Sequence, residues 1–215
     1  MQALRAQCSG LVLLELDTID SHADRSLTPR ERRRLAALGP RRKRSFTGSR
    51  VALKRLACEL DGSLGPGDES QIETLGPDLV LPVCPVVLPD GSAARCSVAH
   101  DKQYVVAVAD ARLIGVDIEP VSPRVERATR LYATDGEQRL ADRFATGRIE
   151  ALTRVWTIKE CVAKAAGLTL AAAFHRVEVM GLGEQESELR FDDQRLRAHH
   201  GTVGEHLVTI VRLPQ

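Results

Sequence analysis

The stretch Leu113-Ile114-Gly115-Val116-Asp117-Ile118-Glu119-Pro120 alternates as a β-strand requires. Side chains on a strand point to opposite faces in turn, so Val116 and Ile118 are expected on a core face, with Asp117 and Glu119 side by side on the other. Pro120 has no N–H to give to a ladder and stops the strand. Two carboxylates so close repel each other unless a cation lies between them. A hard divalent ion with oxygen ligands is the natural occupant, and Mg2+ in such a place keeps its waters and holds substrate phosphates. Taken alone, D-x-E is also the pattern of a solvent-facing edge strand.

Toward the C-terminus the texture turns helical, from about Val125 to Phe144 and from about Arg148 to Ala166, with Gly167 placed to cap the second helix. That second helix contains Trp156-Thr157-Ile158-Lys159-Glu160-Cys161-Val162-Ala163-Lys164. At about 100° per residue, Val155, Ile158, Val162 and Ala166 form one apolar stripe. Glu160 and Lys164 fall on the opposite face, with Trp156 one turn earlier and Lys159 beside them. Glu160 and Lys164 also form an i, i+4 pair of the kind that steadies any exposed helix. The single Trp of the chain on a polar face is what that reading leaves unexplained, and it points to a covered site. Beyond the helix, His175–Met180, Glu188–Phe191 and His206–Leu213 read as strands of an antiparallel sheet.

Toward the N-terminus, Ala94–Asp110 reads as two strands turning near Asp101-Lys102, with His100 at the end of the first. The segment 61–89, rich in Gly, Pro and acids, reads as a long irregular connection. Before it a helix is expected over about Arg41–Leu60, with Phe46, Leu53, Leu56 and Ala57 inward. Thr28-Pro29-Arg30-Glu31 opens a shorter helix: Thr at the N-cap, Pro at the first turn, then an acid. Leu11–Leu16 is a short buried strand. The segment Arg30–Arg55 carries many cations, among them Arg41, Arg42, Lys43, Arg44 and Arg50. Such a run is ordinarily a solvated face; it is also a surface for a phosphate-rich ligand, since guanidinium binds phosphate bidentately. The order strand, helices, strands, helices, strands implies an α+β fold in two similar halves, residues 1–112 and 113–215.

A formal net charge of +1 and 3% aromatics argue against a nucleic-acid module built on the basic helix. No apolar run approaches a membrane span and Met1–Ser9 has no signal-peptide pattern, so the chain reads as cytoplasmic. Five scattered cysteines with no C-x-x-C pair read as free thiols.

The order of these pieces is specific. A basic helix with Phe46-Thr47-Gly48-Ser49-Arg50, a strand ending in His100, then G-V-D-I-E and W-T-I-K-E-x-x-x-K resemble the Sfp-type family of 4'-phosphopantetheinyl transferases over about Leu27–Leu170. The resemblance implies two similar α+β subdomains related by a pseudo-two-fold, with coenzyme A in the cleft between them. It implies Mg2+-dependent transfer of the 4'-phosphopantetheine arm of CoA to a serine of an acyl or peptidyl carrier protein, releasing adenosine 3',5'-bisphosphate. Such enzymes serve polyketide, nonribosomal peptide or fatty-acid synthesis. Asp117, Glu119 and Glu160 match the family's metal ligands, and Glu160 also its general base. Lys159 and Lys164 match lysines that neutralise CoA phosphates, and His100 the contact to the CoA 3'-phosphate. Arg42, Arg44 and Arg50 sit where the family places basic CoA contacts. Asp117, Glu160 and Lys164 are thus the expected catalytic set, and a monomer with no nucleic-acid or membrane partner is the expected form. The chain departs from the pattern at Ala99, where the family has a serine before the histidine, and at Asp101, which either adds an acid near the metal or shapes the turn. A CoA-binding regulatory homologue with weak catalysis is the alternative those departures keep open.

Overall fold

The computed structural model describes residues 1–19, 23–61, 64–65, 67–76 and 83–214, with the side chains of Ala23, Asp24 and Arg41 excepted. In chain order the elements are α1 (Gln2–Arg5), β1 (Gly10–Glu15), α2 (Ala23–Ser26), α3 (Pro29–Ala36), α4 (Pro40–Leu60), β2 (Arg95–His100), β3 (Tyr104–Asp110) and β4 (Ile114–Pro120). There follow α5 (Arg124–Arg127), α6 (Thr129–Tyr132), α7 (Asp135–Asp142), α8 (Arg148–Ala166), α9 (Leu170–Arg176), β5 (Val177–Gly181), β6 (Glu186–Phe191), β7 (Gln194–Val203) and β8 (His206–Arg212).

They fall into two compact α+β units. One spans Cys8–Ala111 and holds an antiparallel sheet of order β1-β3-β2. The 21-residue helix α4 lies across it, sealing Val51, Leu53, Leu56 and Ala57 against Val12, Val105, Ala107 and Ala109. Burying such a branched aliphatic side chain contributes about 1.5–3 kcal/mol. The other unit comprises Met1–Gln7 with Arg112–Gln215 and holds the sheet β4-β8-β7-β6-β5. Helix α8 lies across β4 and β8, packing Val155, Ile158 and Val162 on Val179, Leu189, Ala198 and Val211. Residues 1–7, expected in the N-terminal half, pack instead in this second unit, where α1 meets β7.

Local chemistry explains most boundaries. Thr28 caps α3 through a reciprocal capping box with Glu31, and Pro29 occupies the first turn. Gly39-Pro40 starts α4. Gly167 ends α8 in the left-handed conformation at φ 65°, the usual glycine cap. The helix expected over Val125–Phe144 is three short ones, α5, α6 and α7, because Thr134 makes a second capping box with Glu137 and restarts the chain there. Helix α9 and strand β7 were not expected. Leu170–Ala173 is a short run between the Gly167 cap of α8 and the strand-like run from His175, and the polar Arg195–His200 segment alternates only weakly.

The expected irregular stretch 61–89 lies partly outside the described residues. Among those described, Asp68–Gln71 form a 3-10 turn and Val87 bridges Ala93. Cys84 and Cys96 are joined as a disulfide across a Cα–Cα distance of 5.1 Å, so they are not the free thiols expected; Cys8, Cys58 and Cys161 are free. Among the described residues no helix is long and apolar enough to cross a membrane.

Candidate active site

The carboxylate strand is not a solvent-facing edge. From Ile114 to Ile118 every residue of β4 is buried, and only Glu119 and Pro120 emerge. The reason is Gly115. A Cβ built there would lie 1.9 Å from the carbonyl oxygen of Cys161, so the absence of a side chain lets the backbone of β4 approach that of α8. Asp117, two residues on and on the same face, is drawn under the helix and is 4% exposed.

Helix α8 in turn buries far more than one stripe. Thr153, Arg154, Thr157 and Lys159 are enclosed along with the apolar residues. What stays open is the line Trp156, Glu160, Lys164, one residue per turn. Lys164 Nζ donates to Asp117 Oδ1 at 2.7 Å and to the carbonyl of Val116 at 3.1 Å, and lies 3.6 Å from Glu160 Oε2. Burial opposes its charge, but Asp117 and Glu160 outweigh that and hold the ammonium above the ordinary lysine range. Burial and the neighbouring Asp117 carboxylate push Glu160 above the ordinary glutamate range, against the pull of Lys164. The second oxygen of Asp117, Oδ2, is buried and has no hydrogen-bond partner. A buried acceptor left so costs about 1–3 kcal/mol. Glu119 borders a cavity of about 260 Å3 whose walls include Pro120, Val125, Ala128 and Trp156. The Trp156 ring meets Tyr132 edge-on at 5.1 Å and Phe174 at 5.6 Å, so the lone Trp both closes an aromatic cluster and walls this cavity.

The donor chemistry of this cluster suits a hard divalent ion. An orphaned carboxylate oxygen, a second carboxylate across the same ammonium and a third on the same face of β4 are all oxygen donors. Among the described residues no three Asp, Glu, His or Cys side chains converge into a finished metal cage. Mg2+ is commonly held by one or two carboxylates, with waters and substrate phosphates filling the rest.

Lys159 is placed quite differently from Lys164. It is completely buried, with Nζ 2.8 Å from Glu137 Oε2 and 2.6 Å from the carbonyl of Tyr132. Its expected contact with CoA phosphate has no surface from which to be made. The sequence signal that marks its partner is T-x-x-E at Thr134–Glu137, a capping box.

In the other unit, His100 and the basic helix do come together. Arg34, Leu38, Arg42, Ser45, Phe46, Ser49, Arg50 and His100 line an open cavity of about 500 Å3. Arg34, Ser45 and Ser49 were not singled out from sequence; α3 and α4 bring them there. Arg44 is turned away into an ion pair with Asp17. Arg50 is 6% exposed, donates to the carbonyl of Thr74 at 2.7 Å and stacks over Phe46 at 4.9 Å. Its guanidinium therefore braces the wall more than it offers a free fork. Ala99 is buried on β2. Asp101 shapes the β2–β3 turn, its Oδ1 accepting from the backbone N–H of Gln103 at 2.8 Å and Tyr104 at 2.7 Å.

Residues 113–211, rather less than half of the chain, match the family model of the 4'-phosphopantetheinyl transferase superfamily. The match runs from the start of the carboxylate strand almost to the end of β8 and supports phosphopantetheinyl transfer as the general chemistry. No curated protein matches the chain.

Proposed function

We propose that this protein is an Sfp-type enzyme that transfers 4'-phosphopantetheine from coenzyme A to a serine of an acyl or peptidyl carrier protein. The observation that carries the reading is the state of Asp117: one oxygen on Lys164, the other buried without a partner, with Glu160 on the same ammonium. That is a phosphate-handling arrangement in need of one more cation. Asp117, Glu119 and Glu160 would hold Mg2+, which when bound offsets negative charge on the CoA pyrophosphate. Lys164, about a third exposed, presents its ammonium to phosphate oxygens as charge develops on them, commonly the largest single contribution to such reactions. Glu160, on the open line of α8, takes the proton of the incoming serine hydroxyl. The serine oxygen forms a bond to the β-phosphorus while the bond from that phosphorus to the bridging oxygen breaks. The bridging oxygen leaves on adenosine 3',5'-bisphosphate.

Arg42 and Arg34 supply cations and His100 a ring N–H for the nucleotide 3'-phosphate, with Ser45 and Ser49 as hydroxyl partners and Phe46 and Leu38 as apolar wall. Each unit sets one long helix across one antiparallel sheet, which supports descent of the two from one architecture.

The test is intact-protein mass spectrometry of a panel of apo carrier proteins after incubation with this protein, CoA and Mg2+. The expected result is a gain of one phosphopantetheine arm that is lost on chelation. Bound CoA with no gain on any carrier would overturn transfer in favour of the regulatory alternative.

A further inference from the structure

Two buried lysines stand in the same surroundings, one in each unit. Lys54, on α4, donates to the carbonyl of Ser26 at 2.6 Å and pairs with Glu31 Oε2 at 2.5 Å. Glu31 belongs to the Thr28 capping box, and its other oxygen accepts from the Thr74 backbone N–H at 3.1 Å. Lys159, on α8, donates to the carbonyl of Tyr132 at 2.6 Å and pairs with Glu137 Oε2 at 2.8 Å. Glu137 belongs to the Thr134 capping box, and its other oxygen accepts from the Val179 backbone N–H at 2.8 Å. All four charged side chains are 0% exposed. In both cases the accepting carbonyl lies two residues before the capping threonine, and lysine and glutamate are almost equally far apart along the chain. The same device has thus been built twice.

What differs is the neighbour. Lys54 is followed by Arg55, and Lys159 by Glu160. The clamp is complete in the unit where an arginine, and not a carboxylate, follows the lysine, so its lysine answers to the scaffold and not to a ligand. In the second unit the clamp ties α8 to three separate backbone segments: the end of α6, the N-terminus of α7 through Thr134, and β5 through Val179. A helix held at one buried position has its roll about its axis fixed. The open line Trp156, Glu160, Lys164 then has only one heading. The carbonyl that receives Lys159 belongs to Tyr132, whose ring meets Trp156.

We infer that Lys159 and Glu137 are positioning residues that fix the heading of Glu160, and that Lys159 is not a ligand of CoA phosphate. This rests on the role given to Glu160 above. An ion pair loses its buried charges together when both partners are replaced by neutral near-isosteres, which separates positioning from an unpaired buried charge. The test is therefore Lys159→Met combined with Glu137→Gln, since glutamine preserves the capping box.

In the folded double variant KM for CoA should stay within about twofold of wild type, because no ground-state contact is lost. The value of kcat should fall roughly tenfold or more, since small misplacements of a reacting group are costly. Acrylamide should quench the single Trp more readily than in wild type. Lys54→Met with Glu31→Gln, the matching change in the other unit, should leave Trp156 quenching unaltered. Glu137→Gln alone, with Lys159 still present, should lower kcat in the same direction and keeps the test alive if the double variant does not fold.

A rise of about tenfold or more in KM for CoA with Trp156 unmoved would make Lys159 a phosphate ligand and overturn the inference. Wild-type kcat and wild-type quenching together would reduce the clamp to filling space and overturn it as well. If the wild-type protein transfers nothing to any carrier, the proposed function fails, and Trp156 quenching alone decides the clamp: unchanged quenching in the double variant overturns it.

Discussion

Lys164 Nζ lies 2.7 Å from Oδ1 of Asp117, while the other oxygen of that carboxylate is buried with no partner. A lysine satisfies one side of the group, and the other side has no donor. Asp117→Asn keeps the shape and removes the charge. Transfer to a carrier protein should fall by about 10²–10³ or more, the usual loss when a preorganised electrostatic partner is removed. Circular dichroism and a cooperative unfolding curve should show the fold retained. Full activity in this variant would remove Asp117 from the site.

The same orphaned oxygen predicts a stability effect without catalysis. Adding Mg2+ to the substrate-free protein should raise its thermal midpoint, because a ligand that binds only the native state stabilises by about 2.7 kcal/mol at a hundred times its dissociation constant. In Asp117→Asn the rise should vanish. Differential scanning fluorimetry with and without the cation reads both, and an equal rise in the two proteins would place the ion elsewhere.

Gly115 makes the close contact of β4 and α8 possible. Gly115→Ala should force the strand from the helix backbone, with a cost of about 1–3 kcal/mol or more from overpacking. Activity should fall further than the lost stability accounts for, since Asp117 moves with the strand. Urea denaturation and transfer assays on the same sample test this; wild-type values in both would show that the two elements separate freely.

His200 is 3% exposed, with its ring nitrogens 2.9 Å from Thr209 Oγ1 and 2.8 Å from Ser187 Oγ. Burial, with Arg154 and His199 nearby, holds it well below the usual histidine range, so the native state keeps it neutral. The unfolded chain takes up that proton near pH 6.5. The contribution is therefore complete above about pH 6.5 and is lost as pH falls below it, at up to about 1.4 kcal/mol per pH unit for one proton. Burial lowers His199 as well, which adds in the same direction. Chemical denaturation between pH 7.5 and 5.5 should show the decline, and His200→Gln should flatten it. A slope unchanged in that variant would assign the proton to another group.

The pair Lys54–Glu31 is fully enclosed. Lys54→Met takes the ion-pair partner from the buried Glu31 carboxylate and should cost about 3–5 kcal/mol. Adding Glu31→Gln should recover a large part of that loss in urea denaturation. No recovery would mean that lost hydrogen bonds, and not the orphaned charge, dominate.

Much of this protein is decided within short stretches of chain. The capping box at Thr28, the start of α4 at Gly39-Pro40, the span of α8 and its end at Gly167 follow from residues a few positions apart, because caps and backbone preferences act over one helical turn. The α+β class was readable for the same reason, as was the i, i+4 pairing of Glu160 with Lys164. Periodicity failed where a local signal interrupted it, as Thr134 does between α6 and α7.

The partner of each charge was not readable. Lys159 and Lys164 lie five residues apart on one helix in nearly the same local sequence. One is sealed against Glu137 and the other meets Asp117 at the open line. Those partners sit far away along the chain, on α7 and β4, and no helical period can choose between them. Folding chose, by bringing β4 against α8 at Gly115 and restarting a helix at Thr134 so that Glu137 points inward. A sequence names the ionisable groups of a site, whereas burial and long-range contact determine which of them carry chemistry and which hold the scaffold, since both depend on residues that meet only when the chain closes on itself.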